Sequence, residues 1–123
     1  LQDFKQLDVW RKAHRLVLRV YTASKDLPSS ENFGLVLLLR RSAVTIARVI
    51  AEGCGRASDA EFLLDLKKAR AAGHELEYNL LLCRDLGFMP EALHDELLED
   101  LLEVRKMISG LVKRLGSPPE PLR

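Results

Sequence analysis

The sequence predicts an all-α protein, an antiparallel up-down-up-down four-helix bundle. Three observations lead there. Apolar residues recur at three- and four-residue steps through four stretches, and nothing shows the two-residue alternation of a half-buried strand. The breaks between stretches hold residues that stop or start helices: Pro28 with Ser29 and Ser30, Gly53-Cys54-Gly55 with Ser58, and Gly87 with Pro90. The connections are short, which makes consecutive helices antiparallel neighbours. A chain of 123 residues, 47% hydrophobic and 30% charged, suits one soluble domain with one core. That domain is expected over 1–116, followed by a disordered tail at 117–123, where Ser117-Pro118-Pro119-Glu120-Pro121 offers no apolar pattern.

The first helix is expected from Leu7 to about Ser24. Val9, Trp10, Ala13, Leu16, Val17, Val20 and Tyr21 form its apolar stripe, and Arg11, Lys12, Arg15 and Arg19 take the other side. Those four cations are the candidate nucleic-acid contacts; the plainer reading is a solvated or ion-paired face. Pro28 keeps Leu27 out of helical geometry, and Ser29 or Ser30 is placed to cap a second helix with Glu31 in its first turn. The second helix, Glu31 to about Glu52, is apolar over too wide an arc for one face. Leu35, Leu39, Ala43, Ile46 and Ile50 make one stripe, while Leu37, Leu38, Thr45 and Val49 make a neighbouring one. A bundle hides only one face of such a helix, so Leu37, Leu38, Thr45 and Val49 are the candidate interface with another subunit or a second protein.

A glycine in left-handed geometry is expected to end this helix near Gly53-Cys54-Gly55, and Ser58 with Glu61 has capping-box spacing for the third. The third helix runs to about Leu86, with Phe62, Leu66, Ala69, Gly73, Leu76 and Leu80 in its stripe and Leu63, Cys83 and Leu86 adding to it. Small Ala69, Ala72 and Gly73 point to a close crossing, since a mid-helix glycine otherwise costs about 1 kcal/mol against alanine. The fourth helix, about Pro90 to Leu115, places Leu93, Leu97, Leu101, Val104, Ile108, Leu111 and Leu115 in register, opposite Glu91, Asp95, Glu99 and Glu103.

Chemistry is sparse. His14, His74 and His94 fall in three different helices. Glu91-x-x-His94 gives the di-iron bundle pattern once, on what reads as a polar face, where two copies are required. Cys54 and Cys83 have no metal-ligand spacing and read as inert thiols. Glu75 and Glu77 point different ways on a helix. No catalytic, cofactor or metal residue is therefore assigned, and no enzyme activity is expected. Arg40, Arg41, Glu52, Arg56 and Glu75 are expected to form a structural ion network. The net charge of +1 conceals +5 over residues 1–56 and −4 over 57–123, a division that complements itself within a bundle or between subunits. Acidic and basic residues interrupt the N-terminus, and Arg40-Arg41 splits the longest apolar run, so neither a signal peptide nor a membrane span is read here; a cytoplasmic location is expected.

Phe4…Leu7-x-Val9-Trp10-x-x-Ala13, Tyr21, Pro28…Glu31-x-Phe33-Gly34-Leu35, Arg40-Arg41-Ser42-Ala43-Val44, Ile50-Ala51-Glu52-Gly53-x-Gly55-Arg56 and Glu75-Leu76-Glu77 resemble, in order and spacing, the bacterial four-helix bundle family also called the 23S ribosomal RNA intervening-sequence protein family. The resemblance spans residues 4 to about 115 and implies a homopentamer with no known enzyme activity. A related branch, the accessory proteins of diversity-generating retroelements, is a basic pentamer that binds nucleic acid and a reverse transcriptase; the near-neutral charge here argues against that branch. The family usually has Gln at 38, Asn at 49, a small polar residue at 37 and often Pro at 47, where this chain has Leu38, Val49, Leu37 and Ala47. Such coordinated polar-to-apolar changes resemble the making of a contact surface. Two origins fit: a divergent natural interface, or a surface rewritten by design for a symmetric protein assembly.

Overall fold

The computed structural model describes residues 3–116; the tail expected at 117–123 lies outside the described residues. A 3₁₀ turn at Phe4–Gln6 leads in, capped by the Asp3 carboxylate, which accepts from the Lys5 N–H at 3.0 Å. The helix α1 follows at Asp8–Ser24, burying Val9, Ala13, Leu16 and Val20 as the periodicity requires. Trp10 is only half-buried, with the Phe4 ring edge-on at 4.8 Å and the His14 ring stacked at 4.9 Å.

The second helix, α2, is Leu35–Cys54, so it begins with its apolar stripe, four residues later than the expected cap at Ser29 or Ser30 indicates. The cause is local. Ser29–Glu31 closes a separate 3₁₀ turn, in which the Glu31 N–H donates to the Pro28 carbonyl at 2.8 Å and the Asn32 N–H to that of Ser29 at 3.1 Å. Gly34, with φ −115° and ψ −110°, then redirects the chain. Glu31 caps α2 from outside it, its carboxylate accepting from the Leu35 N–H at 3.3 Å, and neither Ser29 nor Ser30 does so. At the other end Gly55 has φ −91°, so no left-handed residue ends α2. Gly53 is needed for space: a Cβ there would sit 2.7 Å from Phe62 Cε1.

The helix α3, Asp59–Asp85, starts where Ser58 Oγ accepts from the Glu61 N–H at 3.2 Å, the expected half of a capping box. It ends in a Schellman motif: Gly87 has φ 78°, the Phe88 N–H donates to the Cys83 carbonyl at 2.9 Å, and the Gly87 N–H to that of Arg84 at 3.0 Å. Leu86, expected in the stripe, is exposed, because it lies past the last turn of the helix. The helix α4 is Glu91–Gly116. His94, expected on its polar face, is buried instead, its Nδ1 2.9 Å from Asp95 Oδ1.

The four helices pack into a bundle, and the described residues include no strand. Each helix touches two others: α1 and α3 each contact α2 and α4, and no Cα pair across the diagonals lies within 8 Å. Leu16, Leu39, Ile50, Leu76, Leu101 and Ile108 are among the fully enclosed side chains of the single core. At Gly73 an added Cβ would lie 3.1 Å from Arg105 Cδ, so the space beside this glycine is filled by the Arg105 side chain from α4. None of the helices among the described residues is long and apolar enough to cross a membrane.

Candidate functional site

The α2 helix lies between α1 and α3, and its outward strip stays apolar. Leu37 is 41% and Leu38 44% exposed, with Val44 and Thr45 half-buried further along. The Thr45 hydroxyl donates to the Arg41 carbonyl at 2.8 Å, so its polar group is satisfied within the helix. Val49 departs from expectation: it is 3% exposed and belongs to the core cluster. Residues 38 and 49 lie roughly 20° apart around a helix, so the same face of α2 is open at Leu38 and covered at Val49. The strip that starts at Leu38 therefore leaves the surface before residue 49, and Val44 replaces Val49 on the outside.

Two shallow depressions flank this strip. Between α2 and α3, a hollow of about 620 Å³ is lined by Leu38, Arg41, Ala71, His74, Glu75 and Tyr78. Tyr78 is 60% exposed, and neither Arg41 nor Glu75 has an ion-pair partner among the described residues. Between α1 and α2, an apolar groove of about 270 Å³ is lined by Phe4, Trp10, Val17, Val44, Ala47 and Ala51, with His14 and Arg48 at its edge. Neither depression pairs a nucleophile with a base.

The expected five-residue ion network is not assembled. Arg56 Nε donates to Asp65 Oδ2 at 2.7 Å, and Arg48 Nη1 to Glu52 Oε2 at 2.9 Å. Arg40 donates to Ser24 Oγ at 2.8 Å and lies 4.5 Å above the Tyr21 ring. Arg40, Arg48 with Glu52, and Arg56 meet other partners, while Arg41 and Glu75 pair with nothing among the described residues. Asp65, the carboxylate that holds Arg56, is 2% exposed and also has Lys68 Nζ at 3.7 Å. Its hydrogen bond, then its charge, pushes the Arg56 guanidinium further above its ordinary value.

Asp65 and Asn79 were not among the residues singled out from sequence, although both stand at inward positions of α3. Asn79 Nδ2 donates to the Leu38 carbonyl at 3.2 Å and to Ser42 Oγ at 3.3 Å, tying α3 to the inner side of the exposed strip. The available signal was a polar residue three places after a core residue, Asp65 after Phe62 and Asn79 after Leu76.

Carboxylates from α4 cover two of the four cations on the basic face of α1. Lys12 Nζ lies 2.6 Å from Glu103 Oε1, Arg19 pairs with Asp100 and stands 3.8 Å from Glu96, and Arg11 reaches Asp8 at 2.6 Å. Arg15 stays exposed without an ion pair. No group of three potential metal ligands occurs among the described residues. Both cysteines are buried free thiols; burial, then the Glu31 carboxylate, pushes Cys83 up to about 11, and burial, then Asp3, raises Cys54.

The fold has a solved counterpart. A protein of unknown function from the S23 ribosomal protein family of Bacteroides thetaiotaomicron VPI-5482 superposes with a TM-score of 0.80 at 24% identity, covering 85% of this chain and 98% of that one. No curated protein matches the chain. The family model described as 23S rRNA-intervening sequence protein matches residues 5–110, most of the helical core described above. On that match, the chain belongs to the 23S rRNA-intervening sequence protein family.

Proposed function

We propose that the chain acts as a non-enzymatic interaction protein: an antiparallel up-down-up-down bundle that assembles with copies of itself through the outward strip of α2. The observation that carries this reading is the exposure of Leu37 and Leu38 on a helix already packed on two sides. Burying one such side chain is worth roughly 1.5–3 kcal/mol, and ring symmetry repeats the gain at every interface. The unpaired Arg41 and Glu75 beside Leu38 leave one cation and one anion available for ion pairs across an interface. Descending partner numbers support the antiparallel order: Lys12 with Glu103 and Arg19 with Glu96, then Leu38 with Asn79 and Gly53 with Phe62. A count of five follows from the family resemblance.

The test is mass in solution by light scattering after size exclusion, for the wild type and Leu38→Glu. A wild-type particle of about five chains that dissociates in the variant supports the reading; a monomeric wild type overturns it. Mass gained only on mixing with a second protein would assign the strip to a two-component assembly. The nucleic-acid reading is weaker, because Lys12 and Arg19 already face carboxylates.

A further inference from the structure

Phe33 is 95% exposed, far more than any other large apolar side chain among the described residues. It does not sit on a loose loop. The 3₁₀ turn before it is closed by two backbone hydrogen bonds, the Gly34 N–H donates to the Glu31 carbonyl at 2.9 Å, and the Leu38 N–H donates to that of Gly34 at 3.0 Å. The Glu31 carboxylate also holds the Leu35 N–H, so the corner is fixed on both sides of Phe33. A bare aromatic ring on a fixed corner has the form of an interface anchor.

The same chain carries a hole for it. The groove between α1 and α2 is walled by Trp10, Val17, Val44, Ala47 and Ala51, and the Phe4 ring packs edge-on to Trp10 at one end. It is a shallow groove of about 270 Å³, open on its outer side, with His14 and Arg48 also in its lining. The rest of the lining is apolar and aromatic, which suits a phenyl ring better than a charged or hydrogen-bonding ligand. Phe33 cannot fill the groove of its own chain: nine helical residues separate Leu35 from Val44, roughly 13 Å of rigid helix. The ring and groove thus belong to different copies.

We infer that Phe33 of one copy seats in the α1–α2 groove of the next, so that the copies join head to tail. A head-to-tail contact is heterologous, and repeated it closes a ring where the rotation between successive copies closes. One phenyl buries about 150–250 Å² at most, against roughly 800 Å² per partner in a standard interface. Phe33 is accordingly the anchor of a larger contact, with Leu37 and Leu38 in the turn that follows it supplying further area. This inference rests on the self-assembly proposed above.

The experiment places the photocrosslinker p-azidophenylalanine at position 33 of the full chain, which keeps the phenyl ring of the anchor and adds only a small azide. Irradiated protein is mapped by mass spectrometry, using mixed isotopically labelled and unlabelled chains. Crosslinks between chains from position 33 to residues 10–17 or 44–51 are expected. Crosslinks from 33 to 33, or to residues 71–78, would replace the head-to-tail contact with another one. In parallel, Phe33→Ala should shift the particle to monomer at concentrations where the wild type is assembled; its exposure makes loss of folding an unlikely confounder, which circular dichroism checks. A wild type that assembles while Phe33→Ala assembles equally, or that gives no crosslink, overturns the inference and leaves the self-assembly reading standing. A monomeric wild type removes both.

Discussion

The side chains that tie α2 to α3 are polar and buried, and their removal should register as stability, not activity. Asn79 gives both amide hydrogens to α2, to the Leu38 carbonyl and to Ser42 Oγ. Asn79→Ala removes both bonds, but the Leu38 carbonyl still accepts from Ser42 Oγ at 2.8 Å, so the cost should be about 0.5–1.5 kcal/mol, read as a lower urea midpoint with an unchanged m-value. The Asp65 carboxylate is enclosed, while its partner Arg56 is largely in water. Arg56→Ala leaves the carboxylate with only Lys68 at 3.7 Å and should lower Tm; adding Asp65→Leu should recover part of the loss, since an unpaired buried charge costs more than no charge. Cys83 gives a pH effect with a definite sign. Its folded thiol titrates at about 11, above the unfolded value, so the folded chain holds its proton longer. The contribution of this thiol to stability is full below the unfolded value and is lost as pH rises through the folded one. Native protein at pH 8 should also leave both cysteines unmodified by Ellman's reagent until denaturant is added.

The helices themselves were largely legible, because apolar spacing reports burial directly. Most of the stripe residues read from sequence in α1, α4 and the inner side of α2 are buried in the bundle, but Tyr21, expected in the α1 stripe, is 39% exposed under Arg40. The failures sit where a single residue's backbone or the placement of a neighbouring helix decides. Ser29, Ser30 and Glu31 look like a helix start, yet the corner at 31–34 is set by backbone hydrogen bonds and by the Glu31 side chain capping Leu35, which residue types alone do not show. Val49 shares a helical face with Leu38, and only the placement of α3 decides that one is covered and the other is not. The ion network failed for the same reason: sequence shows which charges exist, and the packing of the helices chooses which of them meet. Gly53 is a case where the sequence marked the right residue for the wrong reason. It was expected as part of a left-handed helix end, but what it provides is room for the Phe62 ring. Gly53→Ala should therefore destabilise by about 1–3 kcal/mol through overpacking. Phe62→Leu in the same chain should restore part of the loss, an effect that a turn-conformation role would not produce.

At the scale of the whole molecule, the division of charge between the two halves of the chain becomes a contact within one bundle. The basic half supplies the cations of α1, and α4 brings Glu96, Asp100 and Glu103 against them. A surface so neutralised has little counterion to release on meeting a polyanion, which is the main source of non-specific nucleic-acid affinity. Wild-type protein should accordingly bind a short RNA duplex weakly even at low salt. Removing the screening carboxylates with Asp100→Asn and Glu103→Gln leaves Lys12, Arg15 and Arg19 in place and raises the net charge by two. Fluorescence anisotropy should then show tighter binding for the variant, with an affinity that falls more steeply with salt than that of the wild type. If the wild type instead binds tightly with a steep slope, and Lys12→Ala with Arg19→Ala abolishes that binding, the α1 face is a nucleic-acid surface despite its ion pairs. The carboxylates of α4 would then be displaced on binding, and the self-assembled bundle would be a carrier of that surface.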